Sequence, residues 1–259
     1  MQARLITPVL IACCAIIVAS FAIRASYGVF QIPIANEFGW PRVEFSFAIA
    51  IQNLAWGIGQ PIFAALAERF GDRKALALGA LVYALGLVLT SFATTPAEHQ
   101  LVSWVVGFGV AGTGFGVILG VVGRAAAPER RSLALGIATS AGSLGQMIGP
   151  PIAASLLAFL HWDRVFLCFA VAILAVLVVL PMIRETSSPA ARAEAQESMA
   201  ALLGRAFRDP SYTLIFLGFF SCGYQLGFVT AHFPAMVTEL CGPIAADGLL
   251  APLGVSTTS

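Results

Sequence analysis

The sequence predicts an all-α, polytopic transmembrane helical bundle. Composition is the first reason. Of 259 residues, 59% are hydrophobic and 10% charged, against roughly 25% charged in soluble domains, and the mean hydropathy is +0.89. Spacing is the second: the apolar residues fall in runs of the length that crosses a hydrocarbon core, about 20 residues each. Sidedness is the third: Lys and Arg gather in alternate loops. These features exclude an ordinary soluble enzyme. The net charge of +1 gives no electrostatic case for a nucleic-acid partner. The partner implied throughout is the lipid bilayer.

Seven spans are expected, at 6–32, 44–67, 75–95, 100–123, 132–159, 164–184 and 211–236. Arg4 followed by an apolar run resembles a signal peptide, but the run continues to Phe30, beyond the 7–15 residues of a signal core. A first span is therefore expected. Breakers separate the spans: Gly39-Trp40-Pro41, Gly71-Asp72, Thr95-Pro96, Ala127-Pro128, His161-Trp162-Asp163 and Asp209-Pro210. Asp209 and Pro210 read as N-cap and first-turn proline of the seventh span. With the N-terminus inside, Arg4, Arg69, Arg73, Lys74, Arg124, Arg130, Arg131, Arg184, Arg192, Arg205 and Arg208 are cytoplasmic. Only Arg42 and Arg164 fall outside, and Arg24 lies in a span. This predicts a multi-pass protein of the cell (inner) membrane with a cytoplasmic N-terminus. Trp40 and Trp162 sit at the outer boundary, where interfacial anchors belong. The polar stretch 185–210 reads as a linker followed by an amphipathic helix on the membrane face.

Arg24 is the sharpest candidate. It lies among Phe21, Ala22, Ile23 and Ala25, past the midpoint of the first apolar run. An intramembrane cation costs about 2.5–3.5 kcal/mol on insertion scales and is by default a functional residue. A guanidinium grips a carboxylate through two parallel hydrogen bonds. The alternative is snorkelling or an internal ion pair. Tyr27 and Gln31 extend the same polar face. In span two, Gln52, Asn53, Trp56 and Gln60 point into the bundle, as cavity liners or as glue between helices. In span seven, Tyr224, Gln225, Phe228 and His232 form a stripe. His232 is either a carrier of a coupling proton or a hydrogen-bonding partner. Gly112, Gly116 and Gly120 form a small-xxx-small ridge in span four. Cys13, Cys14, Cys168, Cys222 and Cys241 show no metal spacing, and four of them read as buried apolar residues. No metal, cofactor or catalytic cluster is predicted.

The loop Ala64-Ala65-Leu66-Ala67-Glu68-Arg69-Phe70-Gly71-Asp72-Arg73-Lys74 joins spans two and three. It resembles the signature of the major facilitator superfamily, Gly-x-Leu-Ala-Asp-Arg-x-Gly-Arg-Arg/Lys. Leu66, Ala67, Arg69, Gly71, Arg73 and Lys74 match; Ala64, Glu68 and Asp72 depart. Gly145-Gln146-Met147-Ile148-Gly149-Pro150 resembles the Gly-x-x-x-Gly-Pro motif of span five, with Ala153-Ala154 replacing its later glycines. Gly145 and Gly149 allow close packing and Pro150 a kink. Tyr27-Gly28-Val29-Phe30 through Trp40, and Arg130 to Ile137 with Ala141-Gly142, look like the monocarboxylate porter and oxalate/formate antiporter branch.

The resemblance implies a transporter with alternating access. Its substrate would be a small organic anion, coupled to a proton or counter-anion, and Glu68, Arg69, Gly71, Arg73 and Lys74 would form a gating loop. It also implies a domain plan: a six-helix bundle over 1–184, a central loop over 185–210, and the first helix of a second half over 211–259. A superfamily transporter has twelve spans, so the chain resembles a truncated member. The rivals are an inactive fragment, a seven-span receptor and a membrane enzyme. A retinal receptor needs a lysine in its last span, and the only lysine, Lys74, is in a loop.

Overall fold

A computed structural model describes residues 7–183 and 204–241. Its described residues are helical throughout, without strands. The first span is α1 (Pro8–Ser26), a 3-10 turn (Tyr27–Phe30) and α2 (Gln31–Phe38). The second is α3 (Arg42–Phe70) and the third α4 (Asp72–Phe92). The fourth is broken into α5 (Pro96–Thr113) and α6 (Phe115–Ala125). α7 (Arg131–Leu157), α8 (Trp162–Ala175) with a 3-10 extension (Val176–Met182), and α9 (Pro210–Cys241) follow. The amphipathic helix expected within 185–210 lies mostly outside the described residues, as does the tail after Cys241.

Helix starts follow the capping chemistry in the sequence. Thr7 Oγ1 accepts from the Leu10 N–H at 3.2 Å, with Pro8 in the first turn. Thr95 and Glu98 close a capping box, at 3.3 Å and 3.1 Å. Asp209 Oδ1 accepts from the Ser211 N–H at 2.9 Å, capping α9 ahead of Pro210. In lipid these caps matter, because water is absent to satisfy the first-turn N–H groups.

Three expectations change. The charge-dense segment 64–74 is not a loop: α3 runs through Phe70 and α4 begins at Asp72, so the connection is Gly71 alone, at φ 102°. Only glycine takes that backbone conformation without strain. The first span extends to Phe38, because the 3-10 turn continues into α2. Arg24 therefore sits at the middle of a 31-residue span, not toward one end. Finally, among the described residues six helices are long and apolar enough to cross a membrane, where seven runs were expected. The missing one is α7, whose 27 residues suffice in length but are diluted by Gly, Ser, Gln and Pro.

Those small residues serve packing. α7 lies along α1 and α3 along α5, the two most extensive helix pairs, while α4 bridges α5 and α8. A Cβ at Gly145 or Gly149 would collide with the Val18 or Ala22 backbone of α1. On α5, a Cβ at Gly107 would strike the Gln52 carbonyl, at Gly109 the Tyr83 backbone, and at Gly112 the Gly79 backbone. The ridge expected at Gly112, Gly116 and Gly120 is thus replaced by Gly107, Gly109 and Gly112. Span four breaks at Gly114, so Gly116 and Gly120 belong to α6, where Gln60 and Arg124 cover them. Ile16, Ile17, Phe21, Leu76, Tyr83 and Phe166 are fully buried at the centre.

Leu81, Leu85, Leu54 and Ile58 remain exposed, as an apolar solvent requires. Trp162 is not a lipid-facing anchor: it is buried, and its Nε1 donates to Glu37 on α2. Cys13 is buried, but Cys168 and Cys222 are exposed, so the reading of the cysteines as buried residues holds only in part.

Candidate functional site

Arg24 occupies the last turn of α1, just before the 3-10 turn, and is 8% exposed. Its Nη2 donates to Asn53 Oδ1 at 2.7 Å. The Asn53 Nδ2 donates in turn to the Ile49 carbonyl at 2.9 Å. That bond fixes which way the amide points. The guanidinium also lies 4.4 Å from the Trp56 ring centroid and 5.9 Å from that of Phe21. A desolvated cation–π contact contributes about 2 kcal/mol and a hydrogen bond to a charged group about 1.5–3 kcal/mol. Together these offset the roughly 2.5–3.5 kcal/mol insertion cost of the cation. Among the described residues no carboxylate pairs with Arg24, and Asn53 takes only one of the five N–H groups that a guanidinium offers.

Arg24 opens onto a small cavity lined also by Tyr27, Gly28, Ile49, Gln52 and Asn53. Gln52 is 4% exposed, and its Nε2 makes no hydrogen bond. The unpaired Trp56 Nε1 points elsewhere, toward the break at Gly114. Of the residues expected to line a site, Arg24, Tyr27, Gln52 and Asn53 come together. Gln31 is buried one turn on, and its Nε2 donates to Ser46 Oγ at 3.2 Å, joining spans one and two. Tyr224 and His232 on α9 are exposed and line no part of the cavity. His232 instead lies beside the Phe228 ring, centroids 5.0 Å apart. A second polar centre lies beside the cavity: Ser20 Oγ and Thr113 Oγ1 share a hydrogen bond at 2.8 Å, and Tyr83 Oη donates to the Ser20 carbonyl at 3.3 Å.

At the basic end, Arg73 grips the exit of α8. Its Nη2 donates to the Pro181 carbonyl at 2.9 Å and its Nε to the Ile183 carbonyl. Cations suit helix C-termini, where carbonyls lack partners. Arg69 lies 5.4 Å from the Phe70 ring centroid, and Glu68 and Lys74 are exposed. The pair that sequence reasoning missed is Asp72 with Arg124. Asp72 is buried at the start of α4 and pairs with Arg124, at the end of α6, at 2.5 Å. The signal was an acid, Asp72, directly after a glycine breaker at the start of an apolar helical run. At the opposite end His161 bridges Glu37 and Asp163, at 3.0 and 2.8 Å.

The family profile described as Major Facilitator Superfamily matches residues 12–256. The chain is 25% identical over 243 residues to the uncharacterized MFS-type transporter YcxA of Bacillus subtilis, covering 89% of this chain and 59% of that protein. It is 32% identical over 143 residues to monocarboxylate transporter 13 of Bos taurus, covering 55% and 33%. It is 32% identical over 141 residues to the probable nitrate/nitrite antiporter NarK1 of Thermus thermophilus, covering 52% and 31%. Among solved structures, a bacterial homologue of the human lysosomal transporter Spinster, inward-facing and unoccupied, superposes with a TM-score of 0.69 at 17% identity. That match covers 94% of this chain and 57% of that one. The chain thus spans about half the length of the relatives it matches. On the profile match and the membrane-length helices together, this multi-pass membrane protein belongs to the Major Facilitator Superfamily.

Proposed function

We propose that the chain supplies the substrate-binding helices of a secondary transporter for a small organic anion, with Arg24 as the anion ligand. One observation carries this reading. A buried guanidinium opens onto a cavity with most of its N–H groups unclaimed and no carboxylate paired to it among the described residues. A two-oxygen anion is the complement of that fork. Two of the relatives carry anions in their names, monocarboxylate and nitrate/nitrite. A proton or counter-anion would be the coupled partner.

Transport would proceed by rocking of two bundles about this central site. Residues 1–184 form one bundle, 185–210 the central loop, and 211–259 open the second half. Arg73, held on the end of α8, and the Asp72–Arg124 pair tie the basic end of the first bundle together, and Glu68, Arg69, Gly71 and Lys74 around them would form the gating face toward the second. The positive-inside rule puts that end and the N-terminus in the cytoplasm of the cell (inner) membrane.

The test is uptake of labelled mono- and dicarboxylates into proteoliposomes. Uptake lost in Arg24→Gln supports the reading. Uptake unchanged in Arg24→Gln sinks it. Binding without uptake favours the second reading, a chain that holds substrate but lacks the helices needed to alternate access.

A further inference from the structure

We propose that the basic end of the bundle holds an anionic phospholipid, its phosphodiester seated on Arg131 at the corner between α6 and α7. Span four ends with α6 at Ala125, and the short turn Pro128–Arg130 leads into α7. Arg124 and Arg131 both fold back against α6. A Cβ at Gly120 would lie 3.2 Å from Arg124 Nη1, and a Cβ at Gly123 would lie 3.3 Å from Arg131 Nη2. Residues three apart share a helix face, with about 5–6 Å between their Cβ positions. Two guanidinium groups therefore lie side by side on one face of α6, in the room that two glycines leave.

Their partners differ. Arg124 is paired with Asp72 at 2.5 Å. The Arg131 guanidinium makes no hydrogen bond or ion pair among the described residues, and neither does that of the half-buried Arg130. Glu129, beside them in sequence, is exposed and forms no ion pair among the described residues. An unclaimed guanidinium held against a helix is a fork for two oxygens of one anion. The end of a span puts this fork at the level of the lipid headgroups, where basic pockets between helices take phosphate. Leu133, in the first turn of α7, is 54% exposed and continues the corner toward the acyl chains. A free phosphate would use the fork alone, whereas a phospholipid also covers Leu133. A zwitterionic lipid brings the same phosphodiester, but its trimethylammonium meets the cations of Arg124 and Arg130. An anionic headgroup avoids that repulsion.

The test is native mass spectrometry of the full chain, delipidated in detergent and titrated with phosphatidylglycerol and with phosphatidylcholine of matched acyl chains. One phosphatidylglycerol is expected to bind about tenfold more tightly than phosphatidylcholine. Arg131→Gln is expected to erase that gap. Arg131→Lys keeps the charge, and with it any help to the end of α6, but loses the fork, so it is expected to narrow the gap. Arg69→Gln removes a cation that lies instead beside the Phe70 ring and is expected to leave the gap in place. Equal affinities in the parent chain overturn the proposal, as does a gap that survives in Arg131→Gln. An equal loss in Arg131→Gln and Arg69→Gln also overturns it, because the lipid would then sense only a diffuse basic surface. Displacement of phosphatidylglycerol by inorganic phosphate at equal concentration overturns it too, since the fork would then belong to a soluble anion.

Discussion

Arg24 is held from two directions, by the Asn53 amide at 2.7 Å and by the Trp56 ring at 4.4 Å from its centroid. Both contacts come from α3, so α3 aims a side chain borne by α1. Asn53 acts through Arg24 and is a positioning residue. In Asn53→Ala the guanidinium keeps its charge and its place over Trp56 but loses its orientation. Carboxylate affinity should fall about tenfold or more, the worth of one charge-assisted hydrogen bond at the low end of its range, with thermal stability little changed. Asn53→Asp should fall further, because the new carboxylate claims the guanidinium for itself. Titration of carboxylates against the two variants checks this order.

At the scale of elements, glycine placement decides which helices touch. α1 and α7 pack closely because Gly145 and Gly149 bring their backbones together. Gly149→Leu should cost about 1–3 kcal/mol by overpacking, read as a lowered thermal midpoint in detergent, while Gly136→Leu, which has open space around it, should leave the midpoint unchanged. The Asp72–Arg124 pair ties the start of α4 to the end of α6. Asp72→Asn should destabilise by about 1–3 kcal/mol, below the 3–5 kcal/mol of a wholly buried pair, since Arg124 is partly exposed. Adding Arg124→Gln should recover part of the loss, and a double-mutant cycle measures the coupling.

Across the whole molecule, the sequence was most legible where chemistry is local. Apolar run length placed the helices, Asp209 marked a start that the structure keeps, and the break at Thr95-Pro96 falls where α5 begins. Arg24, Gln52 and Asn53 could be singled out because a polar group is expensive in lipid wherever it sits. What was illegible depends on partners distant in sequence. The break at Gly114 arises in a run as glycine-rich as its neighbours, so span four read as continuous. Trp162 read as a lipid anchor because nothing local shows that Glu37 takes its N–H. Gly71 replaced a loop because one positive-φ residue can reverse the chain without a longer connection.

The central claim, that Arg24 holds an organic anion in the middle of the membrane, has a built-in reporter. The guanidinium lies over Trp56, so an anion that draws on Arg24 changes that indole's surroundings. The most direct measurement is tryptophan emission of the full chain in nanodiscs during titration with a short carboxylate. A saturable change is predicted in the parent chain, lost in Arg24→Gln and lost in Trp56→Phe, with the other three tryptophans as a constant background. A saturable change that persists in Arg24→Gln would contradict the account, because the anion would then be bound elsewhere.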